Sequence, residues 1–160
     1  MIKVLFVCLG NIRSPMAEAI FHDMIKKEGL EHRIDIDSAG TGHWYIGKAP
    51  HRGTLELLKN KGISGENLKA RQLERRDLEE YDYIIAMDQS NRQDIEKLAR
   101  AADKKPECLL LLELIQTYTT DVPDPYYSGN FEEVFDLLQE GCASLLEHIK
   151  KKHKNQLEGM

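Results

Sequence analysis

The 160-residue chain is 41% hydrophobic and 31% charged, with a formal net charge of −5. That composition fits one globular domain spanning the chain and excludes wholesale disorder, general nucleic-acid binding (which needs a basic footprint) and a disulfide scaffold, since only Cys8, Cys108 and Cys142 are present. No apolar run approaches the ~20 residues of a membrane span, and the run at 2–7 is too short for a signal-peptide core, so the expectation is a cytoplasmic protein with free thiols and no membrane partner.

Residues 2–7 (IKVLFV) are a nearly continuous apolar run, as expected of a strand covered on both faces. Ser14-Pro15 reads as a helix start, with Ser14 capping and Pro15 at the first helical position. Met16, Ile20 and Met24 then recur at i+4, and Gly29 ends the helix. Residues 33–38 alternate, with Ile34 and Ile36 on one face. A glycine-containing loop over 39–50 leads to a helix over about 51–61, stopped by Gly62. Residues 81–87 (YDYIIAM) form a third buried strand, and Ser90-x-x-Gln93 is a capping box opening a helix to about Ala102. Residues 108–115 form a fourth strand. From Phe131 to about Lys151 an amphipathic helix places Val134, Leu138, Cys142, Leu145 and Ile149 on one stripe. This alternation predicts an α/β fold: a parallel sheet with right-handed crossovers and helices on both faces. Ligands bind such sheets beyond the carboxyl ends of the strands, which singles out the loops after Val7, Ser38 and Ile115.

The first of these loops carries the strongest chemistry: Val7-Cys8-Leu9-Gly10-Asn11-Ile12-Arg13-Ser14-Pro15. Backbone N–H groups at a helix start, with the helix dipole, make an anion site. Gly10 lets the chain curl so that successive N–H groups converge, and Arg13 can fork onto two phosphate oxygens. The same positive field favours the thiolate of Cys8, and Ser14 can donate to it. A thiolate beneath an anion cradle is suited to attack phosphorus and carry a phosphoryl group. An inert buried thiol is the plain alternative, and it is the expectation for Cys108 and Cys142.

A second signal is Asp121-Val-Pro-Asp124-Pro125-Tyr126-Tyr127. Expelling an alkoxide or phenoxide needs a proton donor, and Asp124 on an extended pre-proline segment can supply one; a simple turn is the alternative. Tyr126, Tyr127 and Trp44 are loop aromatics that would wall a flat aromatic group. The Gly40-to-Gly47 segment has the wrong spacing for a dinucleotide fingerprint, and the six histidines show no H-x-x-x-H zinc pattern. Asp88 and Ser90 follow the third strand, where helix capping is the favoured role.

Taken together, VLFVCLGN, RSPMAEAIF, DSAGTG at 37–42, AMDQSN at 86–91 and DPYYSG at 124–129 resemble the low-molecular-weight protein tyrosine phosphatase family along nearly the whole chain. The resemblance implies a flavodoxin-like three-layer α/β sandwich with a four-stranded parallel sheet, and no metal or cofactor. It implies Cys8 as nucleophile, Arg13 as phosphate clamp, Asp124 as general acid, and Ser14 as thiolate partner. Leu9, Gly10, Asn11 and Ile12 would line the phosphate, Trp44, Tyr126 and Tyr127 would flank the substrate, and Ser38 would join Asn11 in a hydrogen-bond network. Substrates would be phosphotyrosine proteins or small aryl phosphates, with inorganic phosphate as product.

One departure stands out. The family places five residues between cysteine and arginine; here there are four, Leu9 to Ile12, and the cysteine that commonly precedes the arginine is absent. The loop loses roughly 3.3 Å of reach and one N–H, which lowers phosphate affinity. This reads as an impairing deletion, a remodelled active loop, or a written sequence lacking one modified cysteine. If the deletion is real, a neighbouring disulfide cannot protect Cys8. The alternatives to a tyrosine phosphatase are therefore a phosphate-binding pseudophosphatase and a protein-arginine phosphatase, whose members tend to have threonine where Ile12 stands. The related arsenate reductases need further cysteines after the third strand, and Met87-Asp88-Gln89-Ser90 has none.

Overall fold

A computed structural model describes residues 1–10, 12–42, 51–65, 68, 71–100, 106–115, 121–125 and 129–154. Four strands, β1 (Ile2–Cys8), β2 (Ile34–Gly40), β3 (Tyr83–Ala86) and β4 (Glu107–Leu110), pair in the order β2-β1-β3-β4, all parallel. The helices are α1 (Arg13–Lys27), α2 (Arg52–Asn60), α3 (Arg75–Glu80), α4 (Gln89–Ala99) and α5 (Phe131–Lys152). The predicted α/β class and four-stranded parallel sheet are thus observed.

The pleat of β1 divides the core. Val4, Phe6 and Cys8 point to one side, among Met16, Ile20, Phe21, Leu58, Leu138 and Leu145 of α1, α2 and α5. Leu5 and Val7 point to the other, among Leu78 of α3 and Ile95 of α4. Both faces being covered explains the unbroken apolar run. Gly29 ends α1 as expected, in the left-handed region at φ 70°, with the Leu30 N–H donating to the Ile25 carbonyl at 2.8 Å. Among the described residues no helix is long and apolar enough to cross a membrane.

Four local expectations are corrected. β4 stops at Leu110, and Leu111–Leu114 form a 3₁₀ turn with Leu111 and Leu112 buried. A continuous apolar run reads as strand however the chain bends, because both conformations bury it. The α3 helix was not expected from RRDLEE, which has no apolar period; a reciprocal capping box between Glu74 and Asp77 starts it. The capping box expected at Ser90 does not open α4, since Ser90 lies inside the helix; Asp88, for which capping was also expected, is the cap, its carboxylate accepting from the Asn91 N–H. Finally, α1 begins at Arg13 with no side-chain cap, so Ser14 lies inside the helix.

Gly53 at the start of α2 lies under the Phe131 ring, which stacks on His51 with centroids 5.5 Å apart. A Cβ at position 53 would come 2.4 Å from the ring. Gly53→Ala is therefore expected to cost about 1–3 kcal/mol through overpacking, read as a lower urea midpoint at unchanged m-value.

The β2-β1-β3 order makes β1 the strand about which the connections reverse direction. A crevice opens at the carboxyl end of such a strand. Cys8 is the last residue of β1.

Candidate active site

The Cys8 side chain is buried, with Sγ 3.0 Å from Ser14 Oγ. The loop after it is tied to the end of β2: Thr41 N–H donates to the Cys8 carbonyl (2.9 Å) and Gly42 N–H to the Leu9 carbonyl (2.8 Å). Gly40 must be glycine-small here, since a Cβ would stand 3.1 and 3.2 Å from the Leu9 and Gly10 carbonyl oxygens. On the other side, Thr54 of α2 donates its hydroxyl to the Ile12 carbonyl at 3.3 Å. Leu9 projects outward, 39% exposed, whereas Ile12 is buried.

The short loop differs from the expected cradle at one point. The Gly10 carbonyl faces the sulfur, and the Cys8 thiol donates to it at 3.4 Å. Thr41 and Gly42, just past β2, hold the Cys8 and Leu9 carbonyls, and the next carbonyl, that of Gly10, is the one turned to the sulfur.

Arg13 is only 3% exposed. Its Nη1 donates to Asp88 Oδ2 and to the Val122 carbonyl, both at 2.8 Å, and Nη2 lies 3.8 Å from Asp124 Oδ2. Two anchors bring Asp124 there from far along the chain. Val122 N–H donates to the Met87 carbonyl at the end of β3 (2.8 Å), and Gln89 N–H donates to Asp121 Oδ1 (3.0 Å). The 121–125 segment is thereby fixed across the carboxyl edge of the sheet.

The structure thus joins Cys8 to Ser14 and Arg13 to Asp124, with Arg13 and Ser14 adjacent at the start of α1. The Ser14 hydroxyl donates to the Ala39 carbonyl at 3.4 Å and lies 3.0 Å from the sulfur, a contact in which either atom can donate. Ser38 donates to Glu18 Oε1 at 2.5 Å; the Asn11 end of its expected network lies outside the described residues, as do Trp44, Tyr126 and Tyr127. Sequence reasoning missed three contributors: Asp88 as the ion-pair partner of Arg13, Thr54 as a support of the loop, and Glu18. Asp88 alone had a signal, its place just past a strand's carboxyl end, and it serves both as cap and as partner.

The other two cysteines behave as core residues. Burial pushes the Cys108 thiol up to about 11 and moves the fully buried Cys142 thiol upward as well. Among the described residues no group of three His, Cys, Asp or Glu side chains could hold a metal ion.

Residues 3–155 match the family described as low molecular weight phosphotyrosine protein phosphatase. The chain is 52% identical over 152 residues to the low molecular weight protein-tyrosine-phosphatase YfkJ of Bacillus subtilis, covering 94% of this chain and 97% of that one. It is 42% identical to PtpA of Staphylococcus aureus, covering 94% and 96%. The crystal structure of YfkJ superposes with a TM-score of 0.91 at 50% identity, over 95% of this chain and 96% of that one. The Drosophila arginine phosphatase DARP gives a TM-score of 0.87 at 35% identity, over 93% and 98%.

Proposed function

Because this chain belongs to the low molecular weight phosphotyrosine protein phosphatase family, we propose that it acts as a single-domain cytoplasmic enzyme on phosphotyrosine proteins or small aryl phosphates, through a cysteinyl-phosphate intermediate. What supports this reading is a buried, Ser14-partnered sulfur at the reversal point of a parallel sheet and, on the residue before Ser14, a guanidinium 3.8 Å from Asp124.

Cys8 Sγ attacks phosphorus in line, forming the S–P bond as the P–O bond to the phenol breaks. Arg13 neutralises the equatorial oxygens, and Asp124 gives its proton to the departing phenolate. Water then attacks phosphorus, Asp124 takes its proton, the S–P bond breaks and orthophosphate leaves. Asp88 orients Arg13 by occupying Nη1, which leaves Nη2 turned toward Asp124 and the substrate. The apolar Ile12 supports tyrosine over arginine as the phosphorylated side chain, and relative rates on phosphotyrosine and phosphoarginine peptides test this.

Asp124→Asn is expected to lower kcat about 10²- to 10⁴-fold on phosphotyrosine, the range typical of a lost general acid. The loss should shrink as the leaving group becomes more acidic, because a good leaving group needs no proton. A loss independent of leaving group assigns Asp124 another role.

The four-residue loop and the inward Gly10 carbonyl favour a second reading: anion binding without turnover. Orthophosphate binding measured beside aryl phosphate hydrolysis separates the two.

A further inference from the structure

Behind the sulfur, α1 and β2 are fastened to each other twice. The Ser14 hydroxyl, 3.0 Å from Cys8 Sγ, is 3.4 Å from the Ala39 carbonyl. Four residues on, and so on the same face of α1, Glu18 Oε1 accepts the Ser38 hydroxyl at 2.5 Å. Ser38 and Ala39 are consecutive on β2, so these four residues close a ring with the sulfur's partner at one corner. Ser14 is 1% and Ser38 3% exposed; neither hydroxyl has open solvent to turn to. The resemblance that assigns Ser38 to a network with Asn11 says nothing of Glu18.

We propose that Glu18 is a positioning residue for the nucleophile: through Ser38 it fixes the end of β2 against α1, holds the Ser14 hydroxyl at the Cys8 sulfur, and transmits its own charge to that sulfur. The effect on turnover rests on the phosphatase reading; the effect on the sulfur does not.

The surroundings of Glu18 make its charge variable near neutral pH. Burial disfavours the carboxylate most, and Asp37 and Asp35 of β2 add repulsion; the Ser38 bond and Arg71 oppose them, leaving the carboxyl pushed up to about 7. His22, Asp23 and Lys26, further along α1, line the same surface hollow with Ile63 and Leu68. Below pH 7 Glu18 is neutral. Above it a negative charge stands roughly 6 Å along the helix from Ser14, and a like charge disfavours the thiolate.

The test is the rate of Cys8 alkylation by iodoacetamide from pH 5 to 9 in the full chain, read at the Cys8 peptide by mass spectrometry. The unaltered protein should show an inflection near pH 7 besides that of the sulfur. Glu18→Gln should abolish it and react about threefold faster at pH 8. Ser38→Ala keeps the carboxylate but removes a donor that stabilises it, so the inflection should move upward in pH. Profiles of Glu18→Gln and the unaltered protein that coincide overturn the proposal, and so does an inflection unmoved by Ser38→Ala. An inflection present in a protein that fails to hydrolyse aryl phosphates would instead count against the phosphatase reading alone.

Discussion

Replacing Cys8 with serine is expected to abolish the pre-steady-state burst on an aryl phosphate and to lower turnover on the order of 10⁴-fold or more, the scale on which removing a covalent nucleophile acts. The serine hydroxyl fits the same space between Ser14 Oγ and the Gly10 carbonyl, so the fold and the anion site should persist. What disappears is a nucleophile able to ionise at neutral pH, since an alcohol holds its proton far more tightly than a thiol. Rapid-mixing assays should show one equivalent of phenol released per site in the unaltered protein and none in the variant, while orthophosphate still binds both. Turnover retained by Cys8→Ser rules out the covalent route.

A cysteine inserted between Ile12 and Arg13 restores the family's five-residue spacing, and it is expected to tighten orthophosphate binding by about 10- to 100-fold. The insertion supplies roughly 3.3 Å of chain and one more N–H. A hydrogen bond to a charged partner contributes about 1.5–3 kcal/mol, and each 1.4 kcal/mol is tenfold in affinity. The added length also frees the Gly10 peptide to rotate its oxygen away from the sulfur, where it now accepts the thiol at 3.4 Å. Competitive inhibition by orthophosphate, or calorimetry, measures the change. An unchanged affinity means that the four-residue loop already forms a complete cradle, and the carbonyl contact then belongs only to the unliganded protein.

Much of this site is visible in the chain because its central features are local. Cys8 ends an apolar run, and Arg13 opens a helix within a few residues of it. A strand, a tight loop and a helix in succession keep those two residues close along the chain at one edge of the sheet. Asp124 was ambiguous, since Asp-Pro serves turns as well as sites. What the structure adds is a placement: Val122 is bonded to Met87, and Arg13 Nη2 lies 3.8 Å from Asp124. Leu111 and Leu112 were misread for the complementary reason: burial, not conformation, selects apolar residues, and both a strand and a 3₁₀ turn bury them.

By itself the sequence determined the parallel α/β sheet, the stripe the last helix buries, and the placing of a thiol beside a helix start, because these follow from periods of two and 3.6 residues and from short spacings. Only the tertiary structure decided that Asp88 holds Arg13, that the Val122 carbonyl takes the same guanidinium nitrogen, and that Ser38 turns to Glu18. Those partners lie 75, 109 and 20 residues apart. No local pattern encodes such pairs; they arise when folding buries polar groups that must then find one another.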